Sequence, residues 1–292
     1  MRLRHVTLLV GAAAVVGPFV EPLFPVLRRS TVPILPAGSP PLRVLHVSDL
    51  HLLPRHGRRS RWVRGLAALQ PDLVVSTGDH LSSAAAIPLL AASLAALTAD
   101  GTPGVFVPGN NDYYSPRRPS PLGYLTPGPP RRRGPDLPWP EAARALELVG
   151  WTDLTHRRTT TTVRGLPVTL TGTDDAHLKR DRYERVAGPV DGFAIGVTHT
   201  PQRRVLAAMA ADGHDLLLAG HTHGGQVRLP GVGALITNCD LDRARARGLS
   251  RYGDAWLHVS AGLGTSPYAP VRLCCRPEAS LLTLVASGSL AT

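Results

Sequence analysis

Three apolar runs in this chain each end in a residue that binds divalent cations. Asp49 closes the run 43–48, Asp79 follows Leu73-Val74-Val75-Ser76, and Asn110 follows Val105-Phe106-Val107. The three ends lie about 30 residues apart, roughly the length of one strand–helix unit. Such a repeat lays strand ends side by side along one sheet edge. Helices fit between them. Ser60 can cap one that carries Trp62, Val63, Leu66 and Leu69 and stops near Pro71. Residues 87–99 hold leucines at helical spacing. The β-α-β-α-β order predicts parallel strands joined by right-handed crossovers.

The rest of the chain continues the mixed pattern. Residues 113–138 are rich in proline, glycine and arginine, with no apolar period, and read as a long loop close to Asn110. Pro140 opens a helix that ends at Gly150. Strand-like runs follow at 159–163, 168–171, 194–198 and 216–218, with a helix starting at Thr200-Pro201. The remainder, including 256–259 and 281–285, is β-rich. A length of 292 residues suits one large α/β domain or two small ones. No repeat or second boundary divides the chain, so one folded domain is expected over 42–286.

Residues 1–40 differ from that domain. Arg2, Arg4 and His5 precede an apolar run from Val6 to Val20, which Pro18 and Glu21 weaken at its end. A spanning helix needs about 20 such residues. The segment therefore fits an uncleaved membrane anchor, with a cleaved signal or a buried terminal segment as alternatives. Prolines 33, 36, 40 and 41 then suggest an extended linker. The expected localisation is membrane-associated through this segment, and otherwise cytoplasmic.

The net charge is +11, carried almost wholly by arginine, since Lys179 is the only lysine. Arginines cluster at 55–64, 131–133 and 243–247. Compositional bias explains this simply, because Ala, Gly, Pro and Val are also abundant. Attraction to an acidic membrane surface or a polyanion is the functional alternative. No DNA- or RNA-binding motif accompanies the charge, which argues against a nucleic-acid partner. Cys239, Cys274 and Cys275 form neither a disulfide framework nor a thiolate zinc spacing, and read as buried small hydrophobes.

The ligand-type residues fall into five ordered motifs: Asp49-Leu50-His51, Gly78-Asp79, Gly109-Asn110-Asn111-Asp112, His199, and Gly220-His221-Thr222-His223-Gly224-Gly225. Asp, Asn and His suit hard-to-borderline divalent metals such as Mn, Fe or Zn. Asp49 and His51 leave one strand end two residues apart, and His221 and His223 repeat that spacing. A carboxylate has two oxygens to share, so Asp79 is the natural bridge between two ions.

Together these motifs resemble the calcineurin-like metallophosphoesterase family, over about residues 42–286. The resemblance implies a four-layer sandwich, two mixed β-sheets packed face to face with helices outside. It implies one divalent ion on Asp49, His51, Asp79 and His223, and a second on Asp79, Asn110, His199 and His221. It further implies hydrolysis of phosphate esters by a metal-bridging hydroxide. The stretch Gly220–Gln226 is similar to the bacterial, membrane-associated phosphodiesterase branch, some of whose members act on UDP-2,3-diacylglucosamine or related lipid-linked pyrophosphates.

One position departs from the family pattern. Asn111 stands where the family has a histidine paired with the next aspartate, here Asp112, to help the leaving group. Asn cannot act as a proton donor acid but can hydrogen-bond a phosphate oxygen. Asn111 and Asp112 are thus the catalytic candidates, and Asn111 and Tyr113 the substrate-binding ones. Asn110 is the expected metal ligand, with Asn111 as the alternative. His46 and His258 read as satisfied core histidines, His80 as an outward or pocket-wall residue, and His177 as part of a solvated loop. Two other functions remain open on this reading: a non-catalytic metal- or phosphate-binding module, and a basic nuclease-like binder.

Overall fold

The computed structural model describes residues 16–116, 136–265 and 270–288. Its strands are β1 (Val26–Leu35), β2 (Leu42–Val47), β3 (Leu73–Ser76), β4 (Gly104–Phe106), β5 (Trp151–Asp153), β6 (Arg157–Val163), β7 (Leu166–Gly172), β8 (Phe193–Val197), β9 (Leu216–Ala219), β10 (Arg228–Leu229), β11 (Gly233–Ala234), β12 (Gly248–Tyr252), β13 (Ala255–Val259) and β14 (Glu278–Ala286). The helices are α1 (Gly57–Gly65), α2 (Ile87–Thr98), α3 (Asn110–Tyr113), α4 (Trp139–Leu148) and α5 (Arg203–Ala211). One six-stranded sheet runs β1-β14-β2-β3-β4-β5 and the other β12-β13-β9-β8-β7-β6.

The two sheets face each other across a dry core. Val44, Val75 and Val105 of the first sheet share a buried cluster with Val168, Ile195 and Leu218 of the second. Full burial of each such side chain contributes about 1.5–3 kcal/mol. Val63 of α1, Leu90 and Leu94 of α2 and Leu146 of α4 cover the outer face of the first sheet. Val205, Leu206 and Met209 of α5 cover Leu217 and Leu257 of the second. The architecture is the expected four-layer sandwich of two mixed sheets flanked by helices.

Parallel pairing aligns the strand ends that matter. Val47 pairs with Ser76, Ser76 with Phe106, and Val197 with Leu218. Residues just beyond β2, β3 and β4 therefore leave the first sheet side by side, and those beyond β8 and β9 leave the second.

Three local expectations change. Residues 26–35, read as part of a linker, form β1, parallel to β14 at the sheet edge, with Val32 and Leu35 fully buried. An edge strand tolerates Pro33, whose missing N–H a central strand would not. The sheet thus begins ahead of Leu42. Ser60 does not cap α1 but lies buried inside it, accepting a hydrogen bond from Ser93 at 2.8 Å. Among the cysteines only Cys275 is buried; Cys274 is exposed and Cys239 half-buried. Among the described residues no helix is long and apolar enough to cross a membrane. Residues 1–15 of the apolar run, most of the loop 113–138 and the arginines 131–133 lie outside the described residues.

Candidate metal centre

Asp49, His51, Asp79 and His223 converge from two sheets, with ligand atoms all within 4.8 Å of one another and all four residues buried. His51 Nε2 lies 3.4 Å from Asp79 Oδ2 and 3.3 Å from His223 Nε2, and His223 Nε2 lies 3.7 Å from Asp49 Oδ1. The other oxygen of Asp79 faces the opposite way: Oδ1 lies 3.4 Å from His199 Nε2, which is 3.3 Å from His221 Nδ1. Asp79 therefore stands between two groups of ligand nitrogens, one per oxygen.

The tautomers follow from the outer contacts. His199 Nδ1 donates to the Thr77 carbonyl at 2.6 Å, and His221 Nε2 donates to the Asn238 carbonyl at 3.3 Å. The remaining lone pairs of His199 Nε2 and His221 Nδ1 point at one another. Only a proton or a metal cation makes that arrangement favourable. Asn110 Oδ1 is buried with no hydrogen-bond partner among the described residues. An orphaned buried amide oxygen on the loop that follows β4 is of the chemical type that ligates a divalent cation.

Backbone strain collects at the same positions. Asp49, His51, Asp79, His221 and His223 all have positive φ, between 42° and 69°. Non-glycine residues rarely adopt this region, and each instance costs on the order of 1–3 kcal/mol. The strands place the loops, and the strained residues turn their side chains inward. Two glycines make room: a Cβ at Gly109 would overlap the Asp79 carboxylate, and one at Gly220 would overlap Ser48 and Asp49.

Electrostatics poise three of the four rings as neutral ligands. Burial lowers His51 to about 4, and lowers His221 and His223 well below the usual histidine range, so these rings are neutral ligands near pH 7. Burial also lowers His199, but the carboxylates of Asp79, Asp49 and Asp175 outweigh it and hold that ring well above its ordinary value. Burial raises Asp79, yet His199, His51 and the Asn111 amide keep it well below the carboxylate range. Burial raises Asp49 to about 6.

Supporting residues orient the ligands. Ser48 Oγ donates to Asp49 Oδ2 at 2.6 Å, Thr77 Oγ1 donates to Ser48 Oγ at 2.7 Å, and His46 Nε2 meets Thr77 Oγ1 at 2.8 Å. Since the hydroxyl of Thr77 is spent on Ser48, His46 Nε2 donates and its Nδ1 accepts from His258 Nδ1 at 2.8 Å. The two core histidines are satisfied, as expected, and they also steer a metal-site carboxylate.

The other candidates have defined contacts, and His80 departs from its expected place. Asn111 donates twice to Asp79, from its backbone to Oδ1 and from Nδ2 to Oδ2, each at 2.7 Å. It positions Asp79. Asp112 is fully buried and accepts from the N–H groups of His80, Leu81 and Gly109, at 2.7, 3.1 and 2.9 Å, and faces His80 Nδ1 at 2.9 Å. It ties the Asp79 loop to the Asn110 loop. His80 is neither outward nor on a pocket wall: it is fully buried and stacks on Trp139. The Tyr113 hydroxyl donates to Asp174 at 2.8 Å under the Arg180 guanidinium, so it braces the loop after β7.

Sequence reading missed three contributors. His177 is exposed, yet its ring centroid lies 5.0 Å from that of His221. Asp175 accepts from Thr200 Oγ1 at 2.7 Å, next to His199. Arg272 is fully buried and donates to the carbonyls of Ala261, Gly262, Gly264 and Cys275, holding the loop after β13 against the site. The pair Asp174-Asp175 at the end of an apolar strand was the available signal for the first two. Arg272 had none.

Comparison with known proteins finds a family and several relatives. The calcineurin-like phosphoesterase family model matches residues 42–225. The chain is 29% identical to "Uncharacterized metallophosphoesterase YkoQ" of Bacillus subtilis (strain 168), covering 81% of each chain. It is 38% identical to "Phosphodiesterase YaeI" of Escherichia coli (strain K12) over 89 residues, 30% of this chain and 31% of that one. A solved archaeal phosphodiesterase matches at 13% identity and a TM-score of 0.40, over 76% of this chain and 84% of that one.

Proposed function

The chain belongs to the calcineurin-like phosphoesterase family, and from that premise we propose that it is a dinuclear phosphodiesterase or pyrophosphatase acting on lipid-linked phosphate esters. One observation carries the dinuclear reading. The two oxygens of Asp79 face separate nitrogen groups, His51 with His223 on one side and His199 with His221 on the other. Asp49 completes the first set and Asn110 Oδ1 the second. The family makes the chain a metal-dependent hydrolase of phosphate esters, not a passive binding module.

Mn, Fe or Zn held there would lower the pKa of a water molecule to near neutrality and neutralise charge on the phosphoryl oxygens. Phosphoryl transfer needs little beyond such positioning and charge compensation. The protein's own part is to keep Asp79 ionised and centred, which Asn111 does from both sides. Asn111 has no acidic proton for a departing alkoxide. His177 is exposed beside His221, and we assign its imidazole to the leaving group. The lipid-linked substrate class rests on the Gly220–Gln226 resemblance and on the apolar N-terminal segment.

Metal analysis of the full-length protein, with hydrolysis of bis(p-nitrophenyl) phosphate and of UDP-2,3-diacylglucosamine, tests the reading. We expect two divalent ions per chain, loss of both activities on chelation, and recovery with manganese. One ion per active chain would defeat the dinuclear assignment. Hydrolysis of soluble diesters without lipid turnover would defeat the substrate class.

A further inference from the structure

The segment that leads into β1 holds an apolar stripe outward. Residues 16–20 are helical and a 3-10 turn continues over Glu21–Leu23. Val16, Phe19, Val20, Leu23 and Phe24 are 54, 62, 40, 55 and 49% exposed. Val16, Phe19, Val20 and Leu23 recur at helical spacing, and Phe24 follows just past the turn. The segment is fastened to the body. The Pro18 carbonyl accepts from the Arg272 N–H at 2.9 Å, and the Phe24 carbonyl accepts from Arg276 Nε at 2.9 Å. The Glu21 carboxylate accepts from the N–H groups of Cys274 and Cys275 at 2.8 and 2.6 Å. The stripe is therefore positioned, and large apolar side chains gathered and held in water mark an interaction surface.

Charge lies beside it. Arg55, Arg58 and Arg61 are exposed and form no ion pair among the described residues. With Arg59, Trp62 and Leu23 they line a cavity of 470 Å³ whose lining includes no acidic residue. Arg59 forms its inner wall, donating to the carbonyls of Leu50 at 2.7 Å and of His51 at 3.4 Å. The cavity thus abuts the backbone of a metal-site residue.

We propose that this face, the stripe from Val16 to Phe24 with the arginines of α1, docks the protein on an anionic lipid bilayer. Apolar side chains enter the boundary between headgroups and acyl chains, and the guanidinium groups meet headgroup phosphates. Charge complementarity selects this occupant. In a two-fold contact with a second copy, the same arginine-rimmed patch would meet itself. The sequence just upstream, residues 6–15, carries no charged residue. Docking rests on the phosphoesterase reading only for its purpose, which is to bring the metal centre to the height of lipid phosphates.

Flotation of the full-length protein with vesicles tests it. One set contains equal phosphatidylglycerol and phosphatidylcholine, the other phosphatidylcholine alone. Each basic residue near an anionic surface is worth roughly fivefold in partitioning. Wild type should therefore partition at least about tenfold more strongly onto the anionic vesicles, and 0.5 M salt should erase most of that gain. The triple variant R55Q/R58Q/R61Q should lose at least about tenfold on anionic vesicles. F19S/L23S/F24S should lose as much on both. Should a triple variant unfold, as read by circular dichroism, the single substitutions carry the test at roughly threefold or more each. Wild-type partitioning by either triple variant, equal wild-type binding to both vesicle types, or a dimer that uses this face would overturn the proposal. Hydrolysis of a soluble diester without vesicles reports on the catalytic reading separately.

Discussion

At the residue scale the centre turns on Asp79. Asp79→Asn leaves the shape nearly intact but removes the negative charge between two groups of ligand nitrogens. We expect metal content to fall to one ion per chain and the rate to fall at least about a hundredfold, since disturbing supporting groups alone costs about 10–100-fold. Metal analysis with diester kinetics checks both. Asn110 and Asn111 separate by the same assay. Asn110→Ala removes the orphaned oxygen and should cost an ion. Asn111→Ala should keep both ions while lowering turnover, because it only releases the carboxylate it holds. The leaving-group assignment of His177 predicts that His177→Ala loses about 10²-fold or more with alkyl leaving groups, the range for general-acid help. The loss should be small with p-nitrophenolate, which departs without a proton. Equal losses on both ester types would remove that role.

At the element scale the sequence was legible where one strand feeds one motif. Leu73–Ser76 and its Asp79 were readable because a buried parallel strand is a short apolar run and the ligand sits on the loop at its end. The same rule placed His199 and His221. It failed at β1, where prolines at a sheet edge imitate a linker. It failed again at His80, whose buried place depends on a contact with Asp112 32 residues away. It failed for Arg272, since nothing local announces which carbonyls a buried guanidinium will meet. Glycines give the element-scale test. Gly109→Ala pushes a Cβ into the Asp79 carboxylate and His199. Overpacking of this kind costs about 1–3 kcal/mol, so thermal unfolding should shift down by several degrees and metal content should drop. Gly65→Ala, in α1 with open space around it and no positive φ, should be neutral or stabilising by up to about 1 kcal/mol.

At the scale of the whole molecule, the site depends on three histidines, His51, His221 and His223, that burial keeps neutral, and burial of this kind ties stability to pH. His258 illustrates it away from the ligands. Burial holds it at about 4, whereas in the unfolded chain it titrates near 6.5. Above pH 6.5 both states carry a neutral ring and nothing is lost. As pH falls from 6.5 towards 4 the unfolded chain takes up the proton and the folded chain does not, so stability declines across that window. By pH 5 the loss from this residue alone is about 2 kcal/mol relative to pH 7.5. His46, lowered by burial and by His258, steepens the same slope. The variant His258→Asn keeps an amide donor near the Nδ1 position but cannot titrate. Urea unfolding of both metal-free proteins at pH 7.5 and 5 should show the wild type losing about 2 kcal/mol more than the variant. Parallel losses would mean that His258 is charged in the folded protein. Burial would then not hold His258 neutral in the folded protein.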